Sequence, residues 1–258
     1  YFRMKHLFII GGGSAAATAA FKAHSAGWQI TLANEGLPIG GTCLNVGCVP
    51  SKFFIRAAQV VHESNHPRYK AIAPALRRVD WSTLVQEKQT LVDELRERNY
   101  EQALPALENL EWVKGRARLG DAHTVIVGER TWTPDKILVA TGASTLMPPI
   151  DGLSATPYLT NETVYDLPQL PASMIVLGGG YIALEVAQMF QRFGTEVTVI
   201  QRSDHILSDQ SSDITIPLRE RLEAEGLCIE TGTRLSRIDH AEASGFTASW
   251  SRDGKNHQ

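Results

Sequence analysis

The same strand, glycine turn and helix pattern occurs twice in this chain, and the second copy keeps the register of the first. Phe8-Ile9-Ile10 is matched by Ile175-Val176-Leu177, and Gly11, Gly13, Ala16, Gly27 and Thr31 by Gly178, Gly180, Ala183, Gly194 and Thr198, all at the spacing that separates Gly11 from Gly178. Each copy reads as β-turn-α-β: an apolar run, a glycine turn, a helix stopped by glycine, and a second apolar run. The first glycine makes the tight turn, the third lets backbone N–H groups and the helix N-terminus meet a pyrophosphate, and the following alanine allows close helix-to-strand contact. Ser14 and Ala15 open the first helix ahead of Ala16, and Tyr181 and Ile182 open the second ahead of Ala183. A lone Gly-x-Gly-x-x-Ala is a weak signal, but its recurrence at one offset is a strong one. Two such units imply two dinucleotides, or one domain duplicated with an idle copy.

The position expected to meet an adenosine ribose separates these options. It is Glu35 in the first copy, and the equivalent residue in the second is Arg202. A carboxylate accepts hydrogen bonds from ribose hydroxyls and repels a 2′-phosphate, whereas a guanidinium clamps one. The first copy therefore reads as an FAD site and the second as an NADP site. The plain alternative for Arg202 is a solvated surface arginine.

Between the copies lies Gly40-Gly41-Thr42-Cys43-Leu44-Asn45-Val46-Gly47-Cys48-Val49-Pro50-Ser51-Lys52, which holds two of the three cysteines. On a regular helix, residues five apart point about 140° away from each other. The pair can touch only if Cys43 lies on the turn entering a helix. Pro50 suits the first helical turn, which places Cys48 at the positive helix end with Lys52 one turn on, a setting that favours thiolate and disulfide exchange. The glycine pair before it lets backbone come close to something. Two buried structural thiols are the bland alternative.

The chain has 258 residues, 43% hydrophobic content and a formal net charge of -3, enough for two medium globular units and no basic field for nucleic acid or anionic membrane. A small-molecule or metal-ion substrate is favoured. Three cysteines are not a secreted disulfide framework, and a close pair in such a chain points to redox or metal chemistry in a reducing, cytoplasmic compartment. The apolar start resembles a signal peptide, but three glycines at 11–13 interrupt it, and no run approaches the length of a membrane span. Tyr1, Phe2 and Arg3 precede the first methionine and are set aside from the fold reading.

A redox helix is expected over about 50–64, and a long amphipathic helix capped by Asp80 through Leu84, Leu91, Leu95 and Tyr100 to about Leu104. Alternating runs at 111–119, 123–127 and 130–133, with a hairpin turn at Val127-Gly128-Glu129, predict a small antiparallel sheet. A strand over 136–140 ends at Thr141-Gly142, where a strand end meets a ligand or a crossover. Prolines and a glycine over 148–171 mark the passage to the second unit. There a helix over 212–225 and strands near 227–231, 235–239 and 246–250 follow. Cys228 falls inside an apolar run and is expected to be a buried, inert thiol. The expected fold is α/β: two Rossmann-like dinucleotide-binding units, 4–150 for FAD and 151–258 for NAD(P), with a small antiparallel β insertion.

Together with Ala140-Thr141-Gly142 and Gly178-Gly179-Gly180-Tyr181-Ile182-Ala183-Leu184-Glu185, the first glycine turn, Glu35 and the two-cysteine stretch resemble the flavin-dependent pyridine nucleotide-disulfide oxidoreductases over nearly the whole chain. Within them, Cys48-Val49-Pro50-Ser51-Lys52 with Ile55-Arg56-Ala57-Ala58, and Val92-Asp93-Glu94-Leu95-Arg96 with Tyr100, look most like mercuric reductases. Lipoamide dehydrogenases and glutathione reductases fit those flanks less well. The resemblance implies FAD and NADP as cofactors and a Cys43-Cys48 redox pair, with Cys48 nearest the flavin and Cys43 meeting substrate. It also implies Gly41, Thr42, Thr141 and Gly142 at the flavin site, Tyr181 as a residue that moves aside for nicotinamide, and Lys52 with Glu185 meeting beside the flavin.

Full members are homodimers that carry a second flavin segment with a Gly-Asp, a dimerisation domain and, in mercuric reductases, a C-terminal cysteine pair and a metal-binding N-terminal extension. None of these is visible here, so the chain is expected to be about half a reductase that lacks the C-terminal part of the family fold and does not turn over alone. Gly120-Asp121 reads as a turn, not the missing Gly-Asp, and Ser208 replaces the second cation found in glutathione-reductase-like chains. No resident metal site is expected. The reading of another class is a thiol module without flavin that senses redox state or traps soft metal.

Overall fold

The computed structural model describes residues 3–75, 78–241, 245–252 and 255–257, so Tyr1 and Phe2 lie outside it. The chain forms two compact units, Tyr1–Pro50 with Gln86–Ser144 and Ser51–Val85 with Thr145–Gln258.

In the first unit, β1 (His6–Ile10) leads through the glycine turn into α1 (Ser14–Ser25) and β2 (Gln29–Asn34), which lies parallel to β1. Then come α2 (Gly41–Asn45) and the start of α3 (Cys48–Asn65). The end of α4 (Trp81–Arg96) brings the chain back to β3 (Leu110–Lys114), β4 (Ala117–Leu119), β5 (Val125–Val127), β6 (Arg130–Trp132) and β7 (Lys136–Val139). A parallel sheet runs in the order β3-β2-β1-β7, and β4-β5-β6 form an antiparallel sheet. Successive side chains of a strand point to opposite faces. Ile9 accordingly joins Ala16, Ala17, Ala20, Ile30 and Leu32 under α1, while Phe8 joins Ala33, Val113, Val125 and Val127 on the other face. Both faces of β1 are thus buried, which explains its unbroken apolar run.

In the second unit, β8 (Ser173–Leu177), α5 (Tyr181–Phe193) and β9 (Glu196–Ile200) repeat the first motif. They are followed by α6 (Ser212–Ala224), β10 (Cys228–Glu230), β11 (Arg234–Ala241), β12 (Gly245–Arg252) and β13 (Lys255–His257). A parallel sheet runs β10-β9-β8, and β11-β12-β13 form an antiparallel one. The repeat extends to single hydrogen bonds: Gly11 N–H donates to Ala33 O at 2.8 Å and Gly178 N–H to Ile200 O at 2.9 Å.

Packing divides the chain elsewhere than the 150/151 boundary drawn on sequence. Phe54, Ala58 and Trp81 share a core with Val164, Tyr165, Leu184 and Phe190, and Trp81 Nε1 donates to Leu167 O at 2.7 Å. Asp80 caps α4 as expected, accepting from Thr83 N–H at 3.1 Å. The regular helix, however, stops at Arg96 and continues as one π turn over Glu97–Glu101. Apolar spacing cannot distinguish such a turn over five residues. The single strand expected over 111–119 is two, broken after Lys114 where Gly115 N–H donates to Asn34 O, and the halves join different sheets. Cys228 is exposed, not buried. In the three-residue edge strand β10, Ile229 takes the buried face and alternation turns Cys228 outward. Residual burial, followed by the nearby Glu230 charge, raises its thiol pKa. Gly120 and Asp121 do occupy a turn, with Asp121 accepting from His123 N–H at 2.8 Å. Among the described residues no helix is long and apolar enough to cross a membrane.

The second unit also buries an ion pair. Arg192 Nε and Nη2 donate to the two Glu225 carboxylate oxygens at 2.8 and 3.0 Å, Gln188 adds 3.0 Å, and the Glu225 side chain is 3% exposed. Burial pushes the Glu225 pKa up, but the Arg192 hydrogen bond and charge outweigh it and leave the net shift downward. A carboxylate with a depressed folded pKa stabilises above its unfolded value and ceases to do so as pH falls through the folded one. Glu225→Ala should therefore cost about 3–5 kcal/mol at neutral pH, measured by urea denaturation. Glu225→Gln should flatten the loss of stability on acidification below the usual carboxyl range.

Candidate functional site

The first unit gathers its candidate residues around one turn. Gly11 has φ +122°, and a Cβ there would lie 2.1 Å from Ala140 O, so only glycine fits. Ala140 N–H in turn donates to Ile10 O at 2.8 Å. The end of β7 is thereby held against the turn, and Thr141 and Gly142 emerge, exposed, where the strand order switches between β1 and β7. Such a switch point is where open α/β sheets bind ligands. Gly13 caps α1, and the N–H groups of exposed Ser14 and Ala15 belong to the first turn, which has no intrahelical acceptors for them. Glu35 is exposed just past the end of β2.

The glycine pair of the cysteine stretch meets this same turn. Gly40 N–H donates to Gly12 O at 2.7 Å, and a Cβ on Gly41, φ +60°, would lie 2.7 Å from Gly13 Cα. Thr42, next in the chain, is exposed. Cys43 sits within α2, a helix of its own, instead of on a turn entering the longer one, and Cys48 is the first residue of α3. The break between the helices overcomes the divergence of a five-residue spacing. Gly47 makes it possible, since a Cβ there would lie 2.8 Å from Thr42 O. Both cysteines are free thiols, and their side chains are hydrogen bonded to each other. Burial first, then the hydrogen bond and charge of Cys48, raise the Cys43 pKa. Tyr100, on the π turn, has its phenol pKa raised by burial and then by the nearby Cys43.

The second unit holds the other candidates. Gly180 caps α5 with the same extended backbone as Gly13, and nothing lies within 4 Å of a Cβ built on Gly178 or Gly180. Tyr181 and Ile182 stand 72% and 47% exposed at the helix start, and Arg202 is exposed past the end of β9. Lys52 Nζ donates to Glu185 Oε1 at 2.5 Å, joining two residues 133 apart in sequence. Their side chains are 59% and 40% exposed, so the pair adds little stability.

Three polar supports escape sequence reading. Asn45 Nδ2 donates to Pro38 O at 3.0 Å and Gly41 O at 2.9 Å, and Arg96 Nη1 donates to Asn45 Oδ1 at 3.0 Å, bracing the cysteine loop. Gln201, buried, accepts from Gly179 N–H at 3.2 Å behind the second turn. Asn34 takes the equivalent place behind Gly12, where an added Cβ would meet it at 2.5 Å. The repeat offset pairs Asn34 with Gln201 and was the available signal.

The glycine turns, the helix starts free of capping side chains and the exposed Glu35 and Arg202 fit two dinucleotides. Two Rossmann-like units with a paired thiol on the first turn define a nucleotide-dependent redox protein as the class. The family model for pyridine nucleotide-disulphide oxidoreductases matches residues 5–255, and the chain belongs to that family. It is 35% identical over 235 residues to a mercuric reductase of Lysinibacillus sphaericus, covering 91% of this chain and 43% of that protein. A mercuric reductase of Shigella flexneri is 38% identical over 239 residues, at 90% and 42% coverage. The HOCl-induced flavoprotein disulfide reductase RclA from Escherichia coli superposes with a TM-score of 0.81 at 29% identity, covering 98% of this chain and 54% of that one. The chain thus spans about half the length of these relatives.

In the reduced chain, iodoacetamide should alkylate exposed Cys48 several-fold faster than half-buried Cys43, with the Cys43 rate rising above the ordinary thiol range. Mass spectrometry of timed digests reads this, and equal rates across pH would contradict the packing around α2.

Proposed function

We propose that the chain is the nucleotide-binding and thiol-bearing half of a cytoplasmic, homodimeric NADPH-dependent flavin reductase whose Cys43-Cys48 pair delivers electrons to Hg(II). The observation that carries this reading is the hydrogen-bonded thiol pair on a loop docked backbone to backbone on the first nucleotide turn.

In this reading FAD is held within 4–150 and NADP within 151–258, a functional division that cuts the chain differently from its packing. Gly11, Gly13 and the N–H groups of Ser14, Ala15 and Ala16 hold the flavin pyrophosphate, and Glu35 accepts from its ribose. Gly41, Thr42, Thr141 and Gly142 border the same cofactor. Gly178, Gly180 and Ile182 form the second cradle, Arg202 clamps a 2′-phosphate, and Tyr181, exposed, is able to swing aside for nicotinamide. When bound, FAD supplies a two-electron carrier between nicotinamide and disulfide. Lys52, oriented by Glu185, contributes a positive charge where negative charge develops.

The cysteines do the remaining chemistry. Reduction of their disulfide takes two electrons and two protons and leaves two thiols side by side. On binding Hg(II) the two thiols would release their protons and ligate it as thiolates, natural ligands for a soft ion, and the two electrons of a second NADPH would convert the bound Hg(II) to Hg(0), which leaves with the pair still reduced. The mercuric reductase relatives support this acceptor. A disulfide of the glutathione or lipoamide type is the alternative acceptor, favoured by the likeness to a flavoprotein disulfide reductase. A flavin-free thiol module finds less support, because two dinucleotide cradles would then serve nothing.

In the full-length protein, NADPH oxidation should be driven by Hg(II) with added thiol and not by glutathione disulfide or lipoamide. Equal or reversed rates would remove the mercuric assignment. Cys43→Ser and Cys48→Ser should each abolish turnover. Arg202→Glu should lower kcat/KM for NADPH about tenfold or more, equivalent to about 1.4 kcal/mol, while leaving NADH little changed.

A further inference from the structure

Gly179, the middle glycine of the second turn, is tied through both of its backbone groups to the loop that carries Arg202. Its N–H donates to Oε1 of the buried Gln201 at 3.2 Å, and its O accepts from Leu207 N–H at 2.8 Å. Gln201 Nε2 donates to His205 O at 3.4 Å, within the same loop. The chain after β10 fastens it as well, with Thr233 N–H donating to Gln201 O at 3.0 Å and Gly232 N–H to Ser203 O at 2.8 Å. Arg202 therefore stands exposed between two residues whose carbonyls are both engaged.

The same fastening recurs in the first unit. At the spacing that separates Gly11 from Gly178, Gly12 answers to Gly179, Asn34 to Gln201 and Gly40 to Leu207. Gly40 N–H donates to Gly12 O at 2.7 Å, and Asn34 Nδ2 donates to Leu37 O at 3.1 Å inside the loop that carries Glu35. Gly40 has φ +102° and Leu207 φ +46°, so both bonds are made from left-handed backbone. Glycine adopts that region freely. Leu207 is the one non-glycine residue among those described that does so, and such a conformation persists only where the surroundings over-determine it. Here they do: Leu207 O accepts from Gln210 N–H at 2.7 Å, Leu207 packs on the second core, and Ile206 before it is fully buried.

We infer that Gln201 and Leu207 are positioning residues that preset the Arg202 loop for a 2′-phosphorylated adenosine, so that coenzyme selection resides in the fastened loop and not in the arginine alone. The inference rests on the reading of Arg202 as the 2′-phosphate clamp. Neither positioning residue needs to touch the nucleotide. Apparent affinity falls with the fraction of chains that hold the competent loop, and each fastening raises that fraction. The 5′-phosphate, by contrast, meets the first turn of α5, whose N–H groups belong to the helix and not to the loop.

The test uses the full chain, with adenosine 2′,5′-bisphosphate and 5′-AMP as probes in calorimetric titration. The unaltered chain should prefer the bisphosphate, and Arg202→Met should abolish that preference. Gln201→Met, similar in length but without hydrogen-bonding groups, should narrow the preference about tenfold, the order set by leaving a buried donor without its acceptor. Its affinity for 5′-AMP should change by less than about threefold, with the fold checked by circular dichroism. Leu207→Val, a β-branched residue that resists left-handed backbone, should narrow the preference likewise. An unaltered chain that does not distinguish the probes would remove the NADP reading and the inference with it. A chain that does distinguish them, while Gln201→Met and Leu207→Val keep the full preference or lose both affinities equally, would overturn the inference alone.

Discussion

The first unit depends on one absent side chain. A Cβ at Gly11 would collide with Ala140 O, and its absence lets the exit of β1, the entry of α1 and the end of β7 meet at one point. The cysteine loop repeats the device one layer on, where Gly41 approaches Gly13 more closely than any side chain would permit. Backbone against backbone is stiff, because neither partner has a rotamer to yield. A thiol pair carried on such a loop is positioned by main-chain geometry, with Asn45 and Arg96 bracing it from outside.

The duplicated motif is conserved in geometry more than in packing. Caps, strand register and turn hydrogen bonds recur, yet α1 buries alanines where α5 buries Leu184, Val186, Met189 and Phe190. Small residues let α1 lie close to its sheet. Larger ones in α5 build a core with the aromatic cluster of Phe54, Trp81 and Tyr165. Each turn is backed by an amide side chain at its middle glycine, Asn34 packed against Gly12 and Gln201 accepting from Gly179 N–H, and in the second copy the flanking Gly178 and Gly180 remain open.

Two ion pairs of the second unit illustrate how burial decides what a charge pair does. Arg192 and Glu225 are nearly removed from water, and their hydrogen bonds offset a desolvation cost that a lone partner could not bear. Lys52 and Glu185 remain largely hydrated, so their attraction is screened and contributes little to holding the fold.

Much of this was legible in the residues. The repeat at one offset, the glycine spacing, the Glu35 and Arg202 exchange, the cysteine motif and the Asp80 cap are local patterns, and local backbone preferences suffice to specify a strand-turn-helix and its anion-binding end. What local pattern could not supply was partnership across the chain. The split of 111–119 between two sheets, the outward face of Cys228 on an edge strand, the π turn carrying Tyr100, and the grouping of 51–85 with the second core all depend on what lies opposite. Burial and strand pairing are properties of two segments at once. The sequence by itself determined which segments could fold and which chemistry they carried. Only the tertiary structure decided which glycine met which backbone, and so which side chains share a site.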